Sequence, residues 1–289
     1  MDFLDELQQR IVPGDGAMGT QLMALGVPGD ACFEQLNATD PDRVCAVHES
    51  YLAAGARVIR TNSFGGNSIR LARTGHETHV GEFNWLAAQI AGTAAKAAGA
   101  RIAASVGPLG LSPAQSATVD RRSIFEEQLG ALLDGGARLV MLETFTVLDE
   151  LLAAAEAKHT LHHCPVIASV VCNRKGRMPD GHALPEVITA LRAAEVDLVG
   201  INCGGNPDDL RAALQDLEPG AIQTAFPSAG LPVRTDAGNE TWPLTPEAFA
   251  EGALALAEKG VRFIGGCCGT APAHIAAFTA RLNQISPQP

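Results

Sequence analysis

Short apolar runs alternate along this chain with longer stretches whose apolar positions recur every three to four residues. Eight short, largely apolar runs stand out: Ile11 to Asp15, Val58 to Thr61, Ile102 to Val106, Leu139 to Glu143, Val166 to Val171, Leu198 to Cys203, Ile222 to Phe226 and Phe263 to Gly265. Runs of this length without alternation predict strands buried on both faces, the mark of a parallel sheet. Between them lie helical patterns over Pro41 to Ala54, Glu82 to Ala98, Arg122 to Asp134, Leu148 to His159, Pro185 to Ala194, Pro207 to Leu217, Pro246 to Lys259 and Pro272 to Asn283. In the third of these, Phe125, Leu129, Leu132 and Leu133 share one face, a core-facing stripe. Proline opens several of the helices, where its missing N–H costs nothing.

A phrase recurs at the junctions. Gly55-Ala56-Arg57, Gly99-Ala100-Arg101, Gly136-Ala137-Arg138 and Gly260-Val261-Arg262 each follow a helical pattern and precede a strand pattern. The glycine suits the left-handed position just past a helix end. A helix-to-strand junction used this often implies repeated βα units. Eight strands alternating with eight helices predict a single closed (β/α)8 barrel of the TIM type, one α/β domain spanning residues 1–289. The alternative is an open doubly wound sheet with a glycine-rich turn after its first strand. Here that turn reads Asp15-Gly16-Ala17-Met18-Gly19-Thr20, a poor match. Asp236-Ala237-Gly238-Asn239 reads as a long loop after the seventh strand.

With 46% apolar and 18% charged residues, the chain is globular. Its 21 Lys and Arg against 32 Asp and Glu give a net charge of −11, which argues against nucleic acid or an anionic membrane as partner. No stretch reaches the roughly 20 unbroken apolar residues of a membrane span. The acidic start, Met1-Asp2-Phe3-Leu4-Asp5-Glu6, lacks the positive region of a secretory signal. Seven cysteines at irregular spacing favour free or metal-bound thiols over a disulfide framework, which predicts a reducing, cytoplasmic location.

Function in such a barrel gathers at the C-terminal ends of the strands. Those ends read Asp15, Thr61-Asn62, Gly107-Pro108, Glu143-Thr144, Asn202-Cys203, Pro227-Ser228 and Cys267-Cys268. A carboxylate that closes an apolar run is costly to bury alone. Glu143 by itself reads equally well as one half of a structural ion pair. Asp15 and Glu143 facing one rim point instead to a ligand with a positive group, such as an amino acid ammonium. The sixth and eighth strands flank the seventh, so Cys203 can meet Cys267 and Cys268 across it. Neighbours on a strand point to opposite faces, so both reach one metal only where the backbone turns; Gly265, Gly266 and Gly269 permit that turn. Three thiolates with a fourth position left open are the ligand set of a catalytic zinc. The competing reading is that the cysteines are small buried hydrophobes, and it is preferred for Cys32, Cys45, Cys164 and Cys172. Leu161-His162-His163-Cys164 carries metal-ligand residue types but precedes the fifth strand, on the opposite face, and reads as a solvated helix end. Gly204-Gly205-Asn206-Pro207 could cradle a phosphate; freeing Cys203 to meet a metal is the preferred reading. Asp180-Gly181-His182 falls in the loop after the fifth strand.

These segments together carry a resemblance. Asp15-Gly16-Ala17-Met18-Gly19-Thr20, Thr61-Asn62-Ser63-Phe64-Gly65, Gly107-Pro108, Glu143-Thr144, Gly200-Ile201-Asn202-Cys203 and Gly265-Gly266-Cys267-Cys268-Gly269-Thr270 resemble the homocysteine S-methyltransferase family. Within it the chain is most similar to the homocysteine-binding barrel of cobalamin-dependent methionine synthases, over nearly its whole length. The resemblance implies methyl transfer to the thiol of L-homocysteine, giving methionine, with Zn2+ held by Cys203, Cys267 and Cys268. It implies that Asp15 and Glu143 help hold the amino acid end of the substrate. Gly16, Ala17, Thr61, Asn62, Asn202 and Ser228 are the further substrate-site residues expected. Bound to the ion, a fourth, substrate sulfur would be deprotonated, and three cysteine thiolates give the site a net charge near −1, which keeps that sulfur electron-rich and nucleophilic.

Two departures from the family pattern stand out. Its loop after the seventh strand usually reads Pro-Asn-Ala-Gly, and that asparagine can complete the zinc shell; here Pro227-Ser228-Ala229-Gly230 offers Ser228 or water as resting fourth ligand. Methionine synthases often carry an acidic residue where Arg60 stands. The folate, cobalamin and reactivation modules of those synthases are missing from this chain. A betaine donor would favour an aromatic cage; the chain is 4% aromatic, and Thr144 stands where betaine enzymes of the family place a tyrosine. S-methylmethionine, or methylcobalamin on a separate corrinoid protein, is therefore favoured as donor, the latter requiring an exposed barrel mouth for docking. Two other classes are weighed beside this one: a barrel module that binds homocysteine and acts only with separate corrinoid or folate partner proteins, and a lyase or aldolase. The latter commonly uses a strand-end lysine, and no predicted strand ends in one.

Overall fold

The computed structural model describes residues 1–111, 118–159, 164–234 and 240–285. The strands are β1 (Val12–Pro13), β2 (Val58–Arg60), β3 (Arg101–Val106), β4 (Val140–Phe145), β5 (Val166–Val170), β6 (Leu198–Cys203), β7 (Thr224–Pro227), β8 (Val233–Arg234), β9 (Glu240–Thr241) and β10 (Phe263–Ile264). Eight of them form one parallel sheet in the order β1-β10-β7-β6-β5-β4-β3-β2. A parallel bridge from Gly14 to Val58 joins the two ends, so the sheet closes into the expected barrel with β10 as its eighth stave. Helices run between consecutive staves, among them Pro41–Ala53, Val80–Ala98, Arg121–Asp134, Leu148–His159, Leu184–Ala193, Pro207–Ala213, Pro246–Glu258 and Pro272–Ile285.

The junction phrase behaves as its chemistry requires. Gly55, Gly99, Gly136 and Gly260 all take positive φ directly after a helix, which lets the chain reverse into the next strand. Two apolar layers result. One lies between helices and sheet, where the alanines of Val80–Ala98 (Ala87, Ala88, Ala91, Ala94 and Ala95) let that helix approach closely. The other fills the barrel with Val12, Val58, Ala103, Met141, Ile167, Phe226 and Phe263. A short helix, Phe3–Gln9, stoppers the bottom: Phe3 meets the Phe263 ring edge-on at 5.3 Å, and Glu6 pairs with Arg10 and Arg101.

The sequence pattern did not anticipate Phe3–Gln9, Met18–Ala24 or the four-residue helices Leu36–Thr39 and Ser68–Leu71. Each is too short to show a repeating face. Pro207–Ala213 ends earlier than its apolar pattern suggested, and β8 and β9 form a small antiparallel hairpin after β7. Leu161, His162 and His163 lie outside the described residues, as does Asp236-Ala237-Gly238-Asn239.

Candidate active site

The C-terminal ends of the staves surround a cavity of about 620 Å³, lined by Asp15, Gly16, Ala17, Arg60, Thr61, Asn62, Glu143 and the sulfurs of Cys203, Cys267 and Cys268, among others. The thiols converge as the strand-end reading requires. Cys203 Sγ lies 2.7 Å from Cys267 Sγ and 3.6 Å from Cys268 Sγ, and all three fall within 4.8 Å of one another.

Local backbone explains the convergence. Cys203 ends β6 in the left-handed region at φ 57°, unusual for a residue with a side chain, and Gly204 and Gly205 continue at φ 57° and 149°. The strand therefore turns sharply at its last residue. Asn206 then caps the helix Pro207–Ala213, its Oδ1 accepting the Asp209 N–H, so this helix start is satisfied by its own cap. After β10, Gly269 at φ 77° reverses the chain, and a Cβ there would fall about 2.0 Å from the Trp242 indole. Thr270 braces the turn: its hydroxyl donates to Cys267 O at 2.6 Å and accepts the Ala17 N–H at 3.1 Å. Tyr51 donates to both Ala17 O and Thr270 O, tying the first and last stave ends together.

In the trio a single thiolate is favoured. Hydrogen bonds from Cys267 and Cys268 outweigh burial and hold the Cys203 thiol down, to about 3. Cys267 is pushed up by the hydrogen bond it shares with Cys203, and Cys268 up to about 12 for the same reason. The donor set fits zinc. Tetrahedral ligation at about 2.3 Å places sulfurs about 3.8 Å apart; Cys203 and Cys268 already stand near that separation, and Cys203 and Cys267 would open by about 1 Å. Ser228 directs its hydroxyl at Cys203 Sγ from 3.7 Å.

Across the mouth, Asp15 and Glu143 are both buried, and Arg60 stands between them. Its Nε donates to Asp15 Oδ1 at 2.7 Å and its Nη1 to Glu143 Oε2 at 2.6 Å; its Nη2 donates to Gly16 O and Gly266 O, each at 2.7 Å. The Ser105 hydroxyl completes Glu143 at Oε1, 2.6 Å away. Burial works against the Arg60 charge, but Asp15 and Glu143 more than offset it and the guanidinium is held protonated. Burial pushes the Asp15 carboxyl up, with Arg60 acting the other way. Glu143 is thus one half of a buried ion pair, as its structural reading expects, and it also borders the cavity.

The remaining expected residues divide. Gly16, Ala17, Thr61 and Asn62 line the cavity, although the Thr61 hydroxyl is engaged with Ser63 and the Ser105 N–H, and the Asn62 amide with Phe33 O and Asn37. Asn202 is set behind the wall. Its Oδ1 accepts the Thr144 N–H at 2.8 Å and its Nδ2 donates to Thr144 Oγ1 at 2.7 Å, which clamps Thr144 in its left-handed conformation at φ 66° beside Glu143. Cys172 is buried, and burial pushes its thiol up to about 12, as suits an inert core residue. Cys32 borders the cavity, its thiol also raised by burial. Asp180 accepts the Leu148 and His182 N–H groups and ties two loops together. Arg60, Ser105, Thr270 and Tyr51 were not singled out as builders of the site. For Arg60 the signal was present: a charge closing the run Val58-Ile59-Arg60, the same sign that marked Glu143.

The profile of the family described as homocysteine S-methyltransferase matches residues 13–282. A methionine synthase of Mycobacterium tuberculosis is 36% identical over 98% of this chain, and one of Mycobacterium leprae 34% identical over 98%. The chain spans only about a quarter of the length of each, 26% and 25%. Among solved structures, the homocysteine methyltransferase MmuM of Escherichia coli in its metallated form superposes with a TM-score of 0.75 at 28% identity, covering 94% of this chain and 96% of that one. The chain belongs to the homocysteine S-methyltransferase family.

Proposed function

We propose that this chain transfers a methyl group from an activated donor to the thiol of L-homocysteine, giving methionine, with a zinc ion held by Cys203, Cys267 and Cys268. The observation that carries the reading is the convergence of three sulfurs within 4.8 Å at the mouth of a cavity whose opposite wall is charged. When bound, the ion supplies a Lewis acid that keeps a substrate thiol ionised near neutral pH, where a free thiol, of pKa about 8.5, is mostly protonated.

The chain's own residues do the rest. Asp15 and Glu143, steadied by Arg60, face the amino acid end of the substrate; Gly16, Ala17, Thr61 and Asn62 shape the wall beside it. Asn202 fixes the strand end that carries Glu143, and Ser228 orients Cys203. No side chain is needed as a general base, so the protein's contribution is placement and exclusion of water.

The donor reading rests on the walls. Among the described residues, Phe33 and Phe64 are the aromatic rings that line the cavity. Two rings make a poor cage for a quaternary ammonium, which favours S-methylmethionine or protein-bound methylcobalamin over betaine. The 36% and 34% identity to two methionine synthases supports methylcobalamin on a corrinoid protein, with the barrel mouth as the docking face. No described helix is long and apolar enough to cross a membrane. The free thiols of Cys32, Cys45, Cys172, Cys203, Cys267 and Cys268 suit a reducing cytoplasm. The test is to incubate zinc-loaded protein with homocysteine and, separately, S-methylmethionine, a methylated corrinoid protein and betaine, and to assay methionine. Methionine is expected from one of the first two. Production from betaine alone would overturn the donor reading, and none from any donor would overturn the reaction.

A further inference from the structure

Arg60 occupies the ground between Asp15 and Glu143 on which an amino acid ammonium would sit. The guanidinium takes one oxygen from each carboxylate, through Nε and Nη1. The second oxygens are engaged as well, Asp15 Oδ2 by the Arg60 backbone N–H at 2.7 Å and Glu143 Oε1 by the Ser105 hydroxyl at 2.6 Å. Arg60 is not free to swing aside. Its Nη2 is bonded to Gly16 O and Gly266 O, and its guanidinium carbon lies 4.6 Å from the centre of the Phe226 ring. Two carboxylates and one guanidinium leave a single negative charge at this end of the cavity. That charge is spread over four oxygens, each of which already accepts one hydrogen bond.

An arriving ammonium therefore gains far less here than from two unpaired carboxylates. A charge-assisted hydrogen bond typically changes affinity by about 10- to 150-fold. On the thiol-methylation reading above, we infer that Arg60 is a specificity-determining residue: it fills the ammonium position, so the pocket accepts thiol acids lacking an α-ammonium nearly as well as homocysteine. The sulfur and the carbon chain then carry recognition, and the substrate class is ω-thiol carboxylates rather than thiol amino acids alone.

Direct binding to the zinc-loaded full chain decides this without a methyl donor. Titration calorimetry compares L-homocysteine with 4-mercaptobutyrate, the same molecule without its amino group. The expected Kd values lie within about 10-fold of each other in the unmodified protein, and the gap widens to about 100-fold or more in Arg60→Gln, where the carboxylates are released. Arg60→Lys keeps the positive charge and is expected to retain most of the wild-type ratio. If Arg60→Gln does not fold, the wild-type ratio and the Lys variant still decide. Homocysteine binding with a gap beyond about 100-fold in the wild type, or a ratio unmoved by Arg60→Gln, overturns the role of Arg60 alone. Failure of both thiols to bind removes the thiol-methylation reading and this inference with it.

Discussion

On one side of the barrel mouth, the ends of β1, β2 and β4 bring Asp15, Arg60 and Glu143 into contacts in which every charged group has an opposite partner. On the other, the ends of β6 and β10 gather three thiols whose partners are mostly one another. The contrast follows from what each group costs to bury. A lone buried carboxylate or guanidinium is so unfavourable that its partner must be built into the fold. A neutral thiol is a small, weakly polar group, and the one thiolate favoured here is held by its two neighbours, so the trio can wait for a ligand from outside. The first side is therefore finished by the chain itself and the second, on the proposed reading, by an ion. Backbone strain does not follow this division: Cys203 is held left-handed on the thiol side and Thr144 on the carboxylate side.

The largest expected effect comes from breaking the unfinished side. Cys203→Ala or Cys268→Ala should lower methyl transfer to homocysteine by about 1,000-fold or more, since metal activation is worth several kcal/mol of transition-state stabilisation. The unfolding midpoint in the metal-free state should hardly move; a variant that keeps wild-type turnover would show that its sulfur is not a ligand. On the finished side the order reverses. Arg60→Gln leaves two buried carboxylates without their cation and should cost about 3–5 kcal/mol of stability, read from urea unfolding, while metal content persists. An unchanged midpoint would mean that the cluster is solvated.

A third buried group lies outside the mouth and sharpens the comparison. His48 is fully buried, neither ring nitrogen has a hydrogen-bond partner among the described residues, and burial lowers its pKa from 6.5 to about 4. It therefore stays neutral in the fold while the unfolded chain takes up a proton. Its contribution to stability is lost as pH falls from about 6.5 towards 4, to a limit of about 3 kcal/mol. His48→Leu should flatten that acid slope; an identical slope in the variant would assign it to other groups.

Much of this was legible in the chain. Runs such as Leu198–Cys203 open on unbroken apolar residues because both faces are covered, so strand existence and order could be read directly. The cysteines were found from where those runs stop. The interior of the carboxylate cluster was not, because sequence marks a charge at a strand end but not which charge faces it across the barrel. Arg60 and Glu143 are 83 positions apart and meet only when the sheet closes. Short pieces such as Phe3–Gln9 were missed for a different reason: their role is to plug the barrel, a tertiary demand with no periodic trace in seven residues.

Metal analysis by mass spectrometry on purified wild-type chain and on Cys203→Ala, Cys267→Ala and Cys268→Ala tests the three-sulfur site most directly. The prediction is about one zinc per chain in the wild type and loss of the metal in each variant. Full zinc retention in all three variants, or a wild-type chain that takes up no zinc under reducing conditions, would contradict it.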